Sequence, residues 1–414
     1  MTLDPVHVDG IARLAGFIAD GVDDSDHGDL ARTVWTEWLD PLRKGGTNVV
    51  EPLGEKRLRA VDVDDVALAE RPFSTVHGLD SGTINPTTFK NGLVLDVAQA
   101  AMARVPTDLD LHRSRSLVAT VHSQDRTANH DRDWELYDDG FGRLRVFHAP
   151  RVNRYAEGVV HALSLYLAES EHALVHANTV TDLLLLDGPL YPKDLLNWQD
   201  RDPELGDLAR EAKPRQIVEN YVRLVERFVE RDVPLAGFVK NPSAKLITRT
   251  VRDKGVDAPW VDDTALFDRL LAPDDADEHR TADLTFTSWF VSRGGSDRTL
   301  AADGDALGVE RRLDPALYEV TFFVAYDPRR DLLYRAEAPY AFTRDPETRR
   351  ALATQLLGDV AAARGPPPAI AKADELARIS TDEKAALRRK LEERFDSDRI
   401  RTYDDDRWGD GAFY

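Results

Sequence analysis

A chain of 414 residues with no cysteine and a formal net charge of −20 can bury a core without staples, as one large domain with additions or as two to three smaller ones, and cannot carry disulfides, thiolate zinc sites or a cysteine nucleophile. Met1–Pro5 begins no basic-then-apolar leader and no segment is apolar enough to span a bilayer, so a cytoplasmic location without membrane contact is expected. The carboxylate excess would repel nucleic acid in dilute salt, but abundant Asp, scarce Lys and Arg as the main cation fit a halophilic cytoplasm, where a Debye length of about 3 Å at 1 M salt lets local basic patches outweigh net charge.

Residues 5–45 read as helical. Val8, Ile11, Leu14, Phe17 and Ile18 recur at helical spacing, as do Val34, Trp35, Trp38, Leu39 and Leu42, and Gly45-Gly46 closes the unit. Residues 74–121 predict a strand ending at Asp80, its hairpin partner around Gly92–Ala98 after the Asn91-Gly92 turn signal, and a third strand at Leu117–Val121. The polar stretch 122–141 reads as a loop or insertion. A long helix is expected over 152–177, followed by the wholly apolar strand Asp182–Asp187, bounded by Gly188-Pro189. Helices at about 213–230 and 243–254 flank a strand at Leu235–Val239. A late hairpin joins Tyr318–Ala325 to Leu332–Ala338, helices cover 346–363 and 369–395, and a charged tail runs from Asp396. Hairpins, helix, buried strand and then mixed elements make an α/β chain with a mixed sheet. The expected division is a helical extension over 1–70, the main domain over 71–380 and a charged C-terminal segment over 381–414.

Two carboxylates stand where α/β sheets gather ligands, Asp80 and Asp187, each at a predicted strand end. Asp-Ser-Gly and Asp-Gly are also ordinary turn formers. The long helix between them offers Glu157, Glu169 and Glu171. At about 100° per residue, Glu169 shares the side of Ala162, Leu165, Tyr166 and Ala173, whereas Glu157 and Glu171 fall opposite and stand as alternatives. Clustered carboxylates repel one another, and two oxygen-loving divalent cations, Mn²⁺ or Mg²⁺, would relieve that and clamp a phosphodiester. Lys240, at a strand end, precedes Lys245, Arg249 and Arg252, which share a helix face that could hold a phosphate backbone; a solvated face is the plainer alternative. His172 and His176 are four apart on the long helix but lack the zinc-protease Glu and read as surface residues.

Taken together, Gly78–Gly82, Leu185–Leu190, Gly237–Asn241, Tyr334–Pro339, and Pro368–Ile370 with Ala373–Glu375 resemble the archaeal NurA nucleases over about residues 70–380. The resemblance implies an RNase-H-like fold, to which the patterns read above add helical N- and C-terminal parts, and a ring-like or two-fold homodimer. It implies Mn²⁺-dependent 5′-to-3′ exonuclease and single-strand endonuclease activity on DNA. The implied role is end resection at double-strand breaks beside a HerA-type DNA translocase. Asp80, Glu169 and Asp187 match the family's carboxylates, and Lys240 matches a basic residue near its site. Asp374 stands where many members have His, so metal ligation is retained there while a proton-carrying role is in doubt. Gly78–Thr83 also resembles the first phosphate loop of actin-like and sugar-kinase ATPases. Asp187-Gly188-Pro189-Leu190 makes a poor second phosphate loop, however, because it has a single glycine.

Overall fold

The computed structural model describes residues 4–19, 27–272 and 283–401. Its centre is a mixed sheet in which β1 (Val76–Thr83), β2 (Val94–Val105) and β3 (Arg115–His122) form an antiparallel meander. The chain then runs through helix α2 (Ala156–His176) to β4 (Leu183–Asp187), and through α3 (Ala212–Glu230) to β5 (Leu235–Val239); α1 is the N-terminal helix Pro5–Ala19. β4 lies parallel to both β1 and β5, giving the order β3-β2-β1-β4-β5 of an RNase-H-like core. The sheet continues antiparallel through β7 (Leu332–Pro339) and β6 (Val320–Asp327).

Leu183–Leu186 are at most 5% exposed. A strand covered on both faces has no polar side, which is why this run lacks alternation. Each such leucine contributes roughly 1.5–3 kcal/mol, enough to fix the strand's position. Helix α2 covers β1, β2 and β3. On β1, β2 and β4 lies the late helix α6 (Pro368–Ala377), which follows α4 (Leu246–Asp253) and α5 (Pro346–Ala363).

Several sequence expectations change. The first 70 residues are not helical throughout: strands at Leu42–Lys44, Thr47–Pro52 and Leu58–Asp62 extend the sheet beyond β6. They are short and half exposed, so they carry little periodicity. Residues 132–137, read as loop, form a strand beside Gly142–His148, which itself runs parallel to β3. The expected helix 369–395 is two helices, because Ser380 breaks the run and caps α7 (Thr381–Phe395) with a reciprocal Ser380–Glu383 box. The charged tail lies outside the described residues beyond 401.

Candidate metal centre

The register of the parallel strands sets the site. Leu79 of β1 pairs with Leu186 of β4, and Asp187 pairs with Phe238 of β5. The next residue of β1 is Asp80, so the two aspartates emerge side by side. Asp80 is not at a strand end as expected: β1 continues to Thr83, and Asp80 lies within it. Asp80-Ser81-Gly82 is therefore neither a turn nor a phosphate-cradling loop, and the ATPase reading is not favoured.

The glycines beside Asp80 bring in a third carboxylate. Gly78, Asp80 and Gly82 share one face of the strand. A Cβ on Gly78 would lie 2.2 Å from the Ala369 carbonyl oxygen, and one on Gly82 would lie 2.3 Å from that of Ala377. Both approaches require glycine. They lay α6 directly on β1 and place Asp374 over Asp80. Asp80, Asp187 and Asp374 each present a carboxylate oxygen within 4.8 Å of the others, and among the described residues no other group of three potential ligands gathers in this way.

Glu169 approaches from α2. Ser81 Oγ donates to its Oε1 at 2.6 Å and the Tyr221 hydroxyl donates to its Oε2 at 3.0 Å. Lys240 Nζ donates to Asp187 Oδ2 at 2.6 Å. The loop after Asp187 is held by buried Glu337, which accepts from Leu190 N at 3.1 Å and from Lys193 Nζ at 2.5 Å. Burial opposes the charge on Glu337, yet Lys193 and Arg335 hold its pKa down to about 2.

Charge is poorly balanced at the centre. Burial, then the fields of Asp187 and Glu169, push Asp80 up to about 8. Burial raises Glu169 to about 7 against the hydrogen bonds from Ser81 and Tyr221, and Asp187 adds to the rise. Asp187 is also raised by burial despite its lysine. Burial disfavours the charge on Lys240, but the bond and attraction to Asp187 outweigh it and raise its pKa. One ammonium cannot neutralise four carboxylates. An all-oxygen donor set under such repulsion fits a hard divalent cation, Mn²⁺ or Mg²⁺.

The alternative helix carboxylates are elsewhere. Glu157 accepts from Thr88 at 2.8 Å, twelve residues or about 18 Å along the helix from Glu169. Glu171 faces Arg143 and Arg145, at 3.5 and 3.9 Å. The two histidines are not surface residues. His172 is fully buried against Ser116, and His176 pairs with Ser114. Burial lowers the pKa of both, so they pack as neutral rings.

Lys245, Arg249 and Arg252 are exposed, at the start of and along α4. Lys245 and Arg249 line a cleft of about 1420 Å³, which also reaches Pro189, Val239 and Asn241 beside the carboxylates; Arg252 is not in its lining. Arg298 lines the same cleft and was not singled out in the sequence. Ser81, Tyr221 and Glu337 were also missed as site residues. Their roles depend on contacts between distant segments and leave no local pattern.

An RNase-H-like sheet with carboxylates converging across its central strands fits a metal-dependent nuclease. The family model of the NurA domain matches residues 74–379, and the chain belongs to the NurA family. The NurA nuclease from Sulfolobus solfataricus shares the fold, with a TM-score of 0.50 at 10% identity over 95% of this chain and 98% of that one. Also similar are a NurA structure with a TM-score of 0.47 (11% identity, 94% and 97% covered) and a NurA bound to dAMP and manganese with a TM-score of 0.45 (12% identity, 96% and 98% covered). No curated protein matches the chain.

Proposed function

We propose that Asp80, Asp187 and Asp374 ligate one Mn²⁺ or Mg²⁺ ion, that Asp80 and Glu169 approach a second, and that the centre hydrolyses DNA phosphodiester bonds. The observation that carries this is the convergence of three carboxylates within 4.8 Å inside the NurA domain. Bound cations would supply charge neutralisation and activation of water. The chain's own residues do the rest. Lys240 holds Asp187 in place, and Lys245 and Arg249, which line the cleft, bind phosphates, whereas the Arg252 guanidinium donates to the Thr248 and Trp260 carbonyls. Asp374 acts as a ligand rather than as the proton carrier a histidine could be.

The same reading gives the finer assignments: 5′-to-3′ exonuclease and single-strand endonuclease activity in end resection, a cytoplasmic setting, and a HerA-type translocase as partner. It keeps 1–70 as an extension, 71–380 as the nuclease domain and 381–414 as a C-terminal segment. Among the described residues no helix is long and apolar enough to cross a membrane. A homodimer is supported by α1, whose Val6, Ile11, Leu14, Phe17 and Ile18 are 56–73% exposed and which buries no residue. So large an apolar face marks a contact surface.

The test is cleavage of end-labelled single- and double-stranded DNA at high salt with Mn²⁺, Mg²⁺ or chelator. Cleavage should require the metal and disappear in Asp80→Ala. Full cleavage by that variant, or in chelator, would end the proposal.

A further inference from the structure

Glu169 differs from the other carboxylates of the centre, because neutral donors take both of its oxygens. Ser81, which donates to Oε1, is the neighbour of Asp80 on β1. Tyr221, which donates to Oε2, comes from α3, the helix packed along α2. Tyr221 is 4% exposed, and its ring meets Tyr166 edge-on at 6.3 Å. A buried phenol needs a hydrogen-bond partner, and the one described for this hydroxyl is Glu169.

The two bonds fix the rotamer without exhausting the acceptor. An ionised carboxylate offers about four lone-pair sites, and the two donors occupy one on each oxygen. Glu169 lies outside the group of three that already meets within 4.8 Å. Its approach to a cation beside Asp80 therefore depends on what holds it. From this geometry we infer that Tyr221, with Ser81 as its counterpart, is a positioning residue that presents Glu169 to the cation bound beside Asp80. The inference rests on the reading of the centre as a cation site. It adds a residue from a helix that supplies no ligand.

Removing an outer partner of a metal ligand costs about 10–100-fold in metal affinity. The experiment uses the full-length chain and follows free Mn²⁺ by electron paramagnetic resonance during titration, without DNA. Tyr221→Phe keeps the ring and removes the donor. It should weaken one class of Mn²⁺ binding by about 10–100-fold and leave the other class and the thermal midpoint near those of the unaltered chain. Ser81→Ala should weaken the same class from the opposite side. In a Glu169→Gln background, Tyr221→Phe should cause no further loss, because residues acting through one another are non-additive. Mn²⁺ binding by Tyr221→Phe equal to that of the unaltered chain in both classes would overturn the inference. So would an equal further loss in the Glu169→Gln background, which would make Tyr221 a packing residue only. If the unaltered chain bound no Mn²⁺, the cation site itself would fall, and the positioning role with it.

Discussion

Asp80 is the most perturbed acid of the centre, and its environment has a consequence for stability. Its pKa in the folded chain is about 8, against about 3.9 for an unfolded aspartate. Between those values the folded chain binds the proton more tightly, so stability falls as pH rises. His77 and His176, lowered to about 4 by burial, act oppositely, but only up to the ordinary histidine value of about 6.5. Above that pH the loss comes chiefly from Asp80, with smaller shares from Glu169, raised to about 7 by burial, and His161, raised by its bond to Asp96. In chelator, urea unfolding should show a loss of about 2 kcal/mol between about pH 6.5 and 8, and Asp80→Asn should remove most of it. Equal stability across that window in the unaltered chain would mean that Asp80 is not held among charges. At this scale the sequence was legible where a carboxylate followed an apolar run, as at Asp187, and where helical phase selected Glu169. Asp374 stood out only through the family resemblance, because nothing in an exposed helix residue reveals what lies across from it.

The contact between α6 and β1 is the element-scale device that builds the centre. Gly78 and Gly82 remove the side chains that would hold the helix off the strand. Gly78→Ala should force the Ala369 backbone away, and overpacking of this kind costs about 1–3 kcal/mol. Denaturant unfolding should show that loss, and Mn²⁺-dependent cleavage should fall with it as Asp374 moves off Asp80. Unchanged unfolding and cleavage would mean that α6 can rest on the strand without glycine. Strongly patterned elements were legible: the long helix by its period, β4 by its unbroken apolar run, and the β6–β7 hairpin by its two apolar runs around a turn. Short strands were not. Leu42–Lys44, Thr47–Pro52 and Leu58–Asp62 are held by tertiary pairing at the sheet's edge, and local composition does not encode that. Asp80 reads as a strand end for the same reason, although β1 runs on to Thr83. The glycine that commonly breaks a strand here serves a helix that arrives almost 300 residues later.

For the whole molecule, a net charge of −20 makes DNA binding depend on local cations in the cleft. Removing one phosphate-binding cation should reduce the slope of log affinity against log salt by about 1. Lys245→Ala and Arg249→Ala should each do so in a fluorescence-anisotropy titration, with affinity lowered alike for all DNA sequences. Slopes identical to that of the unaltered chain would return α4 to the role of a solvated face. The N-terminal helix gives a second test at this scale. The homodimer proposed above predicts a dimer in sedimentation velocity that changing Ile11, Leu14 and Phe17 to Ser converts to monomer; a monomeric unaltered chain would end that proposal, and a dimer that survives would place the interface elsewhere.

In the proposed mechanism Asp80, Asp187 and Asp374 jointly hold the cation on which cleavage by this NurA chain depends. Anomalous diffraction from a crystal grown with Mn²⁺ tests it most directly. A manganese peak is expected within ligand distance of all three carboxylates, and no such peak in Asp80→Asn. A peak at another site, or none in a crystal of protein that still cleaves DNA with Mn²⁺, would contradict it.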